Sequence, residues 1–304
     1  MSTLTGPSRV PSSAPDTRTV WVRYLRPRPR RSSLLDIVTI SVAAVLVLAA
    51  VFGPLIAPDI DRSSITEALQ APSFAHLFGT DQQGRDIFWR VVVGARYTLT
   101  SAVIIVVGYA LLGVLIATLA TTGPRWTNEM LTRFIDLGIA FPSLVFALGV
   151  AAALGPSLPT ACIAMVVTGW PMTARLLQGI MKETLALPFV EAATVLGASP
   201  LRLMAHHLLP NSLPPLWIKW TGDIGNTALV LGALSFIGAG AQPPLPEWGA
   251  MVAASQEVAM TAWWTILFPG LAIVVTTTTF GLLGDMLHAR MDPSRSRTRR
   301  RHGE

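Results

Sequence analysis

Six stretches of this chain are apolar for longer than the core element of a soluble domain requires. They cover about residues 34–57, 97–122, 134–155, 158–180, 213–239 and 263–287. A bilayer core takes roughly 20 apolar residues in helical form. Helix is the form that lets such a segment satisfy its own backbone hydrogen bonds away from water. The sequence therefore predicts an all-α, polytopic membrane protein with six transmembrane helices. Composition agrees, since 51% of the residues are hydrophobic and 13% are charged, about half the ~25% charge of soluble domains. The first apolar run is too long for a signal-peptide core and no clear cleavage site follows it, so it is read as a retained span.

An even number of spans puts both termini on one side, and the charge distribution says which. The net charge is +6. Seven arginines lie in residues 1–33 and six in residues 288–304. With both termini cytoplasmic, 19 of the 23 Lys and Arg face the cytoplasm, and the remaining four lie in the outer segment 58–96. Basic residues orient helices with their cytoplasmic loops enriched in Lys and Arg. The excess charge thus reads as membrane orientation rather than a nucleic-acid partner. Such basic clusters also attract anionic membrane lipid at about 1 kcal/mol per residue. Residues 1–33, rich in Pro, Ser and Arg, are expected to form a disordered cytoplasmic tail, and 288–304 a basic one. Trp263 and Trp264 are expected at the outer rim of the last span, where indole favours the interface.

Between spans four and five the polarity pattern changes. Residues 188–210 carry the punctuation of two short cytoplasmic helices. The first runs from about Pro188 to Leu196 and ends at Gly197, the residue suited to a left-handed cap. Ser199 is placed as the N-cap of the second, with Pro200 at its first position, where a missing N–H costs nothing. Pro210 and Pro214 are expected to stop it.

Catalytic chemistry is missing from the pattern. The only lysines are Lys182 and Lys219. Met181 and Ile218 precede them, so no phosphate-binding loop of the G-x-x-x-x-G-K type exists. The five histidines form no H-E-x-x-H pair, no G-x-S-x-G elbow occurs, and His206 and His207 point about 100° apart on a helix, so no metal site is read here. Cys162, the single cysteine, has no intrachain partner. Asp136 and Asp285 fall near cytoplasmic ends, within reach of water. Asp223 enters span five four residues after Lys219, the spacing of an ion pair on one helix face, which is preferred to a proton relay. In the outer segment, Asp81/Arg85 and Asp86/Arg90 share that spacing, so 79–90 is expected to form a short surface helix. Residues 242–249 hold three prolines followed by Glu247-Trp248-Gly249 and read as a stiff outer turn.

Four motifs in order resemble the integral membrane permeases of binding-protein-dependent ABC importers, in the C-type branch of the dipeptide, oligopeptide and nickel group. Glu191-Ala192-Ala193, Gly197 and Leu209-Pro210 match the cytoplasmic signature, and Trp170-Pro171 with Ala174-Arg175 resembles the run before it. Gly79-Thr80-Asp81 through Gly84-Arg85-Asp86, then Leu234 through Gly249, and finally Gly284-Asp285 with Asp292-Pro293, resemble the other blocks. The likeness covers about residues 34–293. Leu231 and Gly281 depart from the glutamate and asparagine that relatives carry there, which bears on cargo and leaves the cytoplasmic signature untouched.

The resemblance implies a type I ABC importer permease fold over residues 34–287, in a bacterial cytoplasmic membrane. It also implies that 188–210 is a coupling element docking on an ATPase subunit, with Glu191, Ala192, Ala193, Gly197, Ser199, Pro200, Leu203, Leu209 and Pro210 carrying the contact. The chain would bind no cofactor, ATP and magnesium being held by the ATPase subunits. Its implied partners are a second, homologous permease in a heterodimer, two ATPase subunits and an extracytoplasmic solute-binding protein. Asp81, Arg85, Asp86, Pro244, Glu247 and Trp248 would close the outer mouth or receive the binding protein. Peptides are the implied cargo, with nickel or another small chelate as the alternative within the family. An ion-coupled secondary carrier would show two repeated halves and midplane charges, and neither is seen in the sequence.

Overall fold

The structure is a computed structural model that describes residues 33–291. The tails 1–32 and 292–304 lie outside the described residues, and with them most of the two predicted cytoplasmic tails. Among the described residues there is no strand, and the single isolated bridge joins Thr80 to Asp86.

The helices are α1 (Leu34–Ile56), α2 (Ile87–Thr122), α3 (Arg125–Ala140), α4 (Ser143–Leu154) and α5 (Leu158–Leu185), then the short α6 (Pro188–Val195), α7 (Pro200–Leu203) and α8 (Leu209–Ser212), and finally α9 (Pro214–Phe236), α10 (Trp248–Ala254) and α11 (Trp264–Met291). Four of them, α1, α2, α5 and α11, are long and apolar enough to cross a membrane, and the bent α3–α4 pair makes five. The sixth expected span, α9, has the length at 23 residues. Lys219, Asp223 and Asn226 lower its hydropathy.

Two expected spans differ from the helices that form. The stretch 134–155 is broken by an 85° bend between α3 and α4. The cause is local: Pro142 disfavours helical backbone at the residue before it, and Phe141 is extended at φ −83°, ψ 128°. The stretch 97–122 begins ten residues early, at Ile87, because Asp86 caps the helix by accepting the Trp89 N–H at 3.2 Å. The surface helix expected over 79–90 does not form. Residues 81–86 are a turn folded around Asp81, whose Oδ1 accepts from the N–H of Gln83 and of Arg85.

Helix α2 is the axis of the bundle. It packs most extensively on α5 and also against α1, α9 and α3. The inner core gathers Ile105, Tyr109, Leu177, Met181, Leu216, Leu231 and their neighbours from α2, α5 and α9. A second cluster around Ile87, Leu99, Trp248 and Trp264 lies at the outer ends. Trp264 is buried there and donates from Nε1 to the Thr80 carbonyl at 3.2 Å. It is therefore a packing residue, and only its neighbour Trp263, half exposed, keeps the surface position expected of both. Helix α1 buries little and exposes Ile37, Val45, Leu48, Val51 and Phe52 along its length. An apolar surface of that extent is stable against lipid and not against water.

Candidate functional site: a cytoplasmic coupling element and an outer clasp

The element expected to lie in the cytoplasm is built almost as its residues dictate. Helix α6 ends in a Schellman motif. Gly197 stands at φ +84°, its N–H donates to the Thr194 carbonyl at 3.0 Å, and the Ala198 N–H donates to the Ala193 carbonyl at 3.1 Å. A side chain at 197 would meet nothing within 4 Å, so the backbone angle, not space, requires glycine there. Two residues later the Ser199 hydroxyl accepts the Arg202 N–H at 3.3 Å and caps α7, with Pro200 in its first turn.

Pro210 does not stop the second helix. The chain continues through a π-helical turn, Met204–Leu208, into α8 and ends at Ser212. A proline inside a helix lacks a donor and crowds the carbonyl four residues back. The π turn moves the bonding to five residues, the Leu209 N–H reaching the Met204 carbonyl, and makes room for it. Asn211 Nδ2 donates to the His207 carbonyl next to the proline.

The element is fastened at its base and bare at its tip. Val190, Met204, Leu208 and Ser212 are buried, and the Thr184 hydroxyl at the end of α5 lies 3.3 Å from that of Ser212. The departure and return of the segment are thus pinned to each other. Of the residues expected to make the contact, Glu191, Ala192, Gly197, Ser199, Pro200 and Pro210 are exposed; Ala193, Leu203 and Leu209 are half buried. Sequence reasoning missed the element's three exposed large aliphatic groups: Val195, Leu196 and Leu201 are 82%, 88% and 80% exposed. The available signal was three large aliphatic residues in a segment placed outside the bilayer. Upstream, Arg175 pairs with Asp136 and so ties α5 to α3.

At the other face, the outer residues form a clasp. Arg85 Nε donates to Asp81 Oδ2 at 2.7 Å, as the spacing predicts. The expected Asp86–Arg90 pair does not form. Asp86 pairs with His76 Nδ1 at 2.9 Å while its other oxygen caps α2. Arg90, buried, donates to Asp61 Oδ1 at 3.0 Å, to the Ile60 carbonyl at 3.2 Å and to the Pro244 carbonyl at 2.8 Å. It therefore holds two loops to α2. Glu247 and Trp248 are buried as well. The Glu247 carboxylate caps α10 by accepting the N–H of Gly249 at 3.1 Å and of Ala250 at 2.9 Å. Trp248 Nε1 donates to the Val91 carbonyl at 2.9 Å. Their side chains leave no surface for a docked protein, whereas Pro244 is exposed. Behind them α10 and α9 touch through glycines: a Cβ on Gly249 would lie 2.3 Å from the Gly232 carbonyl oxygen.

Comparison with known proteins gives the family and the fold. Residues 110–297 match the family model described as binding-protein-dependent transport system inner membrane component. The chain is 37% identical over 264 residues, 86% of its length, to the dipeptide transport system permease protein DppC of Alkalihalophilus pseudofirmus, of which 87% is covered. It is also 37% identical over 264 residues, 86% of its length and 89% of the relative's, to the probable D,D-dipeptide transport system permease protein DdpC of Escherichia coli. Among solved structures, the inward-facing MetNI methionine ABC transporter superposes with a TM-score of 0.56 at 17% identity, over 67% of this chain and 97% of that one. An amino acid ABC transporter crystallised with histidines gives 0.53 at 18% identity, over 66% and 94%. The fold is that of the type I importer permeases. Such a chain is a transport subunit rather than an enzyme, and works with separate ATP-hydrolysing subunits and a binding protein. This bacterial membrane protein belongs to the family of binding-protein-dependent transport system inner membrane components.

Proposed function

We propose that this chain forms half of the translocation pore of an importer for di- or oligopeptides, delivered by an extracytoplasmic solute-binding protein. The other half is a second, homologous permease, making a heterodimer, and two ATPase subunits complete the assembly. ATP and magnesium sit on those subunits, and this chain holds no cofactor. Both termini face the cytoplasm, in keeping with the 19 of 23 basic residues that this orientation places there. The likeness to relatives named as dipeptide permeases supports the cargo.

One observation carries the mechanism: residues 188–212 form a stiff, doubly capped bracket whose base is pinned and whose tip exposes Val195, Leu196 and Leu201. Exposed aliphatics beside the exposed Glu191 carboxylate suit a groove on a partner, where Glu191 can make charge-assisted hydrogen bonds. Ala192 and Ala193 allow close approach. Closure of the ATPase subunits would move the bracket as a body, and α5 and α9, rooted at its two ends, would re-aim the pore. Coupling of this kind needs an element with two discrete placements rather than a pliant loop. Glu191→Arg tests it. Uptake of labelled dialanine by cells expressing the complete importer should be lost with the chain still at its normal level in the membrane, and normal uptake would defeat the assignment.

A further inference from the structure

A cleft of about 260 Å³ opens among α2, α4, α5 and α9. Its walls mix apolar side chains with the hydroxyls of Ser143 and Thr168, and its charge is gathered on one side. There Lys219 and Asp223, four residues apart on α9, form an ion pair, and Tyr109 of α2 donates its hydroxyl proton to the same carboxylate at 2.6 Å. Lys219 also stands 5.8 Å from the centre of the Tyr109 ring. Among the described residues, Lys219 and Asp223 are the charged side chains that line the cleft. Asp223 is nine residues beyond Pro214 at the start of α9, ~14 Å along the axis from that end of the helix at 1.5 Å per residue.

Charges within an expected span are costly and mark function when they face a cavity. A pair serving only to satisfy itself would be closed off by its neighbours. This one is not: the Lys219 and Asp223 side chains keep 26% and 23% of their surface exposed. Both donors, Lys219 Nζ and the Tyr109 hydroxyl, engage Asp223 Oδ2. Oδ1 receives neither, and an ammonium has three protons of which one is committed. Each member of the pair therefore has capacity left for a ligand. The two charges cancel, so the site favours a molecule with one ammonium and one carboxylate over a net ion. A divalent metal cation suits it poorly, because its one carboxylate is already shared with an ammonium that repels the metal.

We propose that Tyr109, Lys219 and Asp223 form a cargo subsite on the pore wall that takes a small zwitterion, the free α-ammonium of a peptide on Asp223 and its carboxylate on Lys219. Tyr109 is the positioning residue, fixing the carboxylate from a second helix. The subsite deepens the peptide-importer reading and rests on it. The cleft is open on one side, where the second permease would complete the passage, so its volume, just below the ~300 Å³ at which ligand pockets begin, is that of a half-site.

The test uses the complete importer in proteoliposomes, with the binding protein saturated, and two labelled probes: dialanine and N-acetyl-dialanine, which lacks the ammonium. The binding protein is common to every sample, so the ratio of the two transport rates, compared between wild type and Asp223→Asn, isolates the cleft. Asp223→Asn should slow dialanine about tenfold, the loss of one charge-assisted hydrogen bond. It should not slow N-acetyl-dialanine, which has no ammonium to lose and whose carboxylate still meets Lys219. Tyr109→Phe should give a smaller change in the same ratio. An unchanged ratio, or an equal loss for both probes, would overturn the subsite while leaving the peptide importer standing. Failure of the wild-type assembly to move dialanine would overturn the peptide reading and the subsite with it.

Discussion

Thr98 on α2 and Glu247 at the head of α10 are joined by a buried hydrogen bond of 3.3 Å across 149 positions of sequence. The Trp248 N–H in turn reaches the Thr98 hydroxyl at 3.4 Å. One carboxylate thus caps a helix and fastens the outer loop to the longest span. Glu247→Ala would strand two backbone N–H groups and a hydroxyl in a dry site. Each orphaned group costs on the order of 1–3 kcal/mol, so thermal unfolding of the purified protein in detergent should shift down by several degrees. Glu247→Gln keeps an acceptor and should shift it less. Equal stability of all three forms would contradict the capping role.

Arg90 makes the clasp between the loops. Its guanidinium is buried and bonded to Asp61, Ile60 and Pro244. Arg90→Met keeps the aliphatic stem and removes all three donors. The loop around Pro244 should then come free, read as faster labelling of an introduced Pro244→Cys by an impermeant thiol reagent. Labelling at the rate seen with Arg90 present would show that the loop is held by other means.

Gly197 tests the bend of the 188–212 bracket. A residue with a Cβ at φ +84° carries a penalty of about 1–2 kcal/mol, while asparagine tolerates that region. Gly197→Val should lose uptake with its membrane level unchanged, and Gly197→Asn should retain most of it. Equal activity of the two variants would argue that the bend is dispensable.

Ser199→Ala removes the cap of α7, the first turn of the helical run that continues to Ser212. A lost N-cap costs about 1 kcal/mol, felt first in the exposed turn that it begins. Amide exchange at Arg202 and Leu203 should quicken severalfold. Unchanged exchange would place the order of this turn in its burial alone.

The sequence disclosed these features unevenly, for physical reasons. Gly197, Ser199 and Pro200 were legible because caps act within a turn of the helix they bound, and the structure realises each. Helix ends were less legible. The break at Phe141 was overlooked because hydropathy over 134–155 is continuous, and only Pro142 signals it. The spacing of Asp86 and Arg90 suggested a pair, yet both side chains turn to partners distant in the chain: His76 for one, Asp61 and Pro244 for the other. Trp264 read as an interface anchor because its burial depends on Thr80, far away in sequence. Lys219 and Asp223 were found by spacing. Their joining to Tyr109 could not be, since it arises from the packing of α2 on α9.

The central claim is that the tip of the 188–212 bracket meets an ATP-hydrolysing subunit. A photo-crosslinking amino acid in place of Leu196, 88% exposed at that tip, measures it directly in membranes containing the complete importer. The account predicts an adduct with the ATPase subunit whose yield changes when a non-hydrolysable ATP analogue is added. An adduct with lipid alone, with the importer assembled and active, would contradict it.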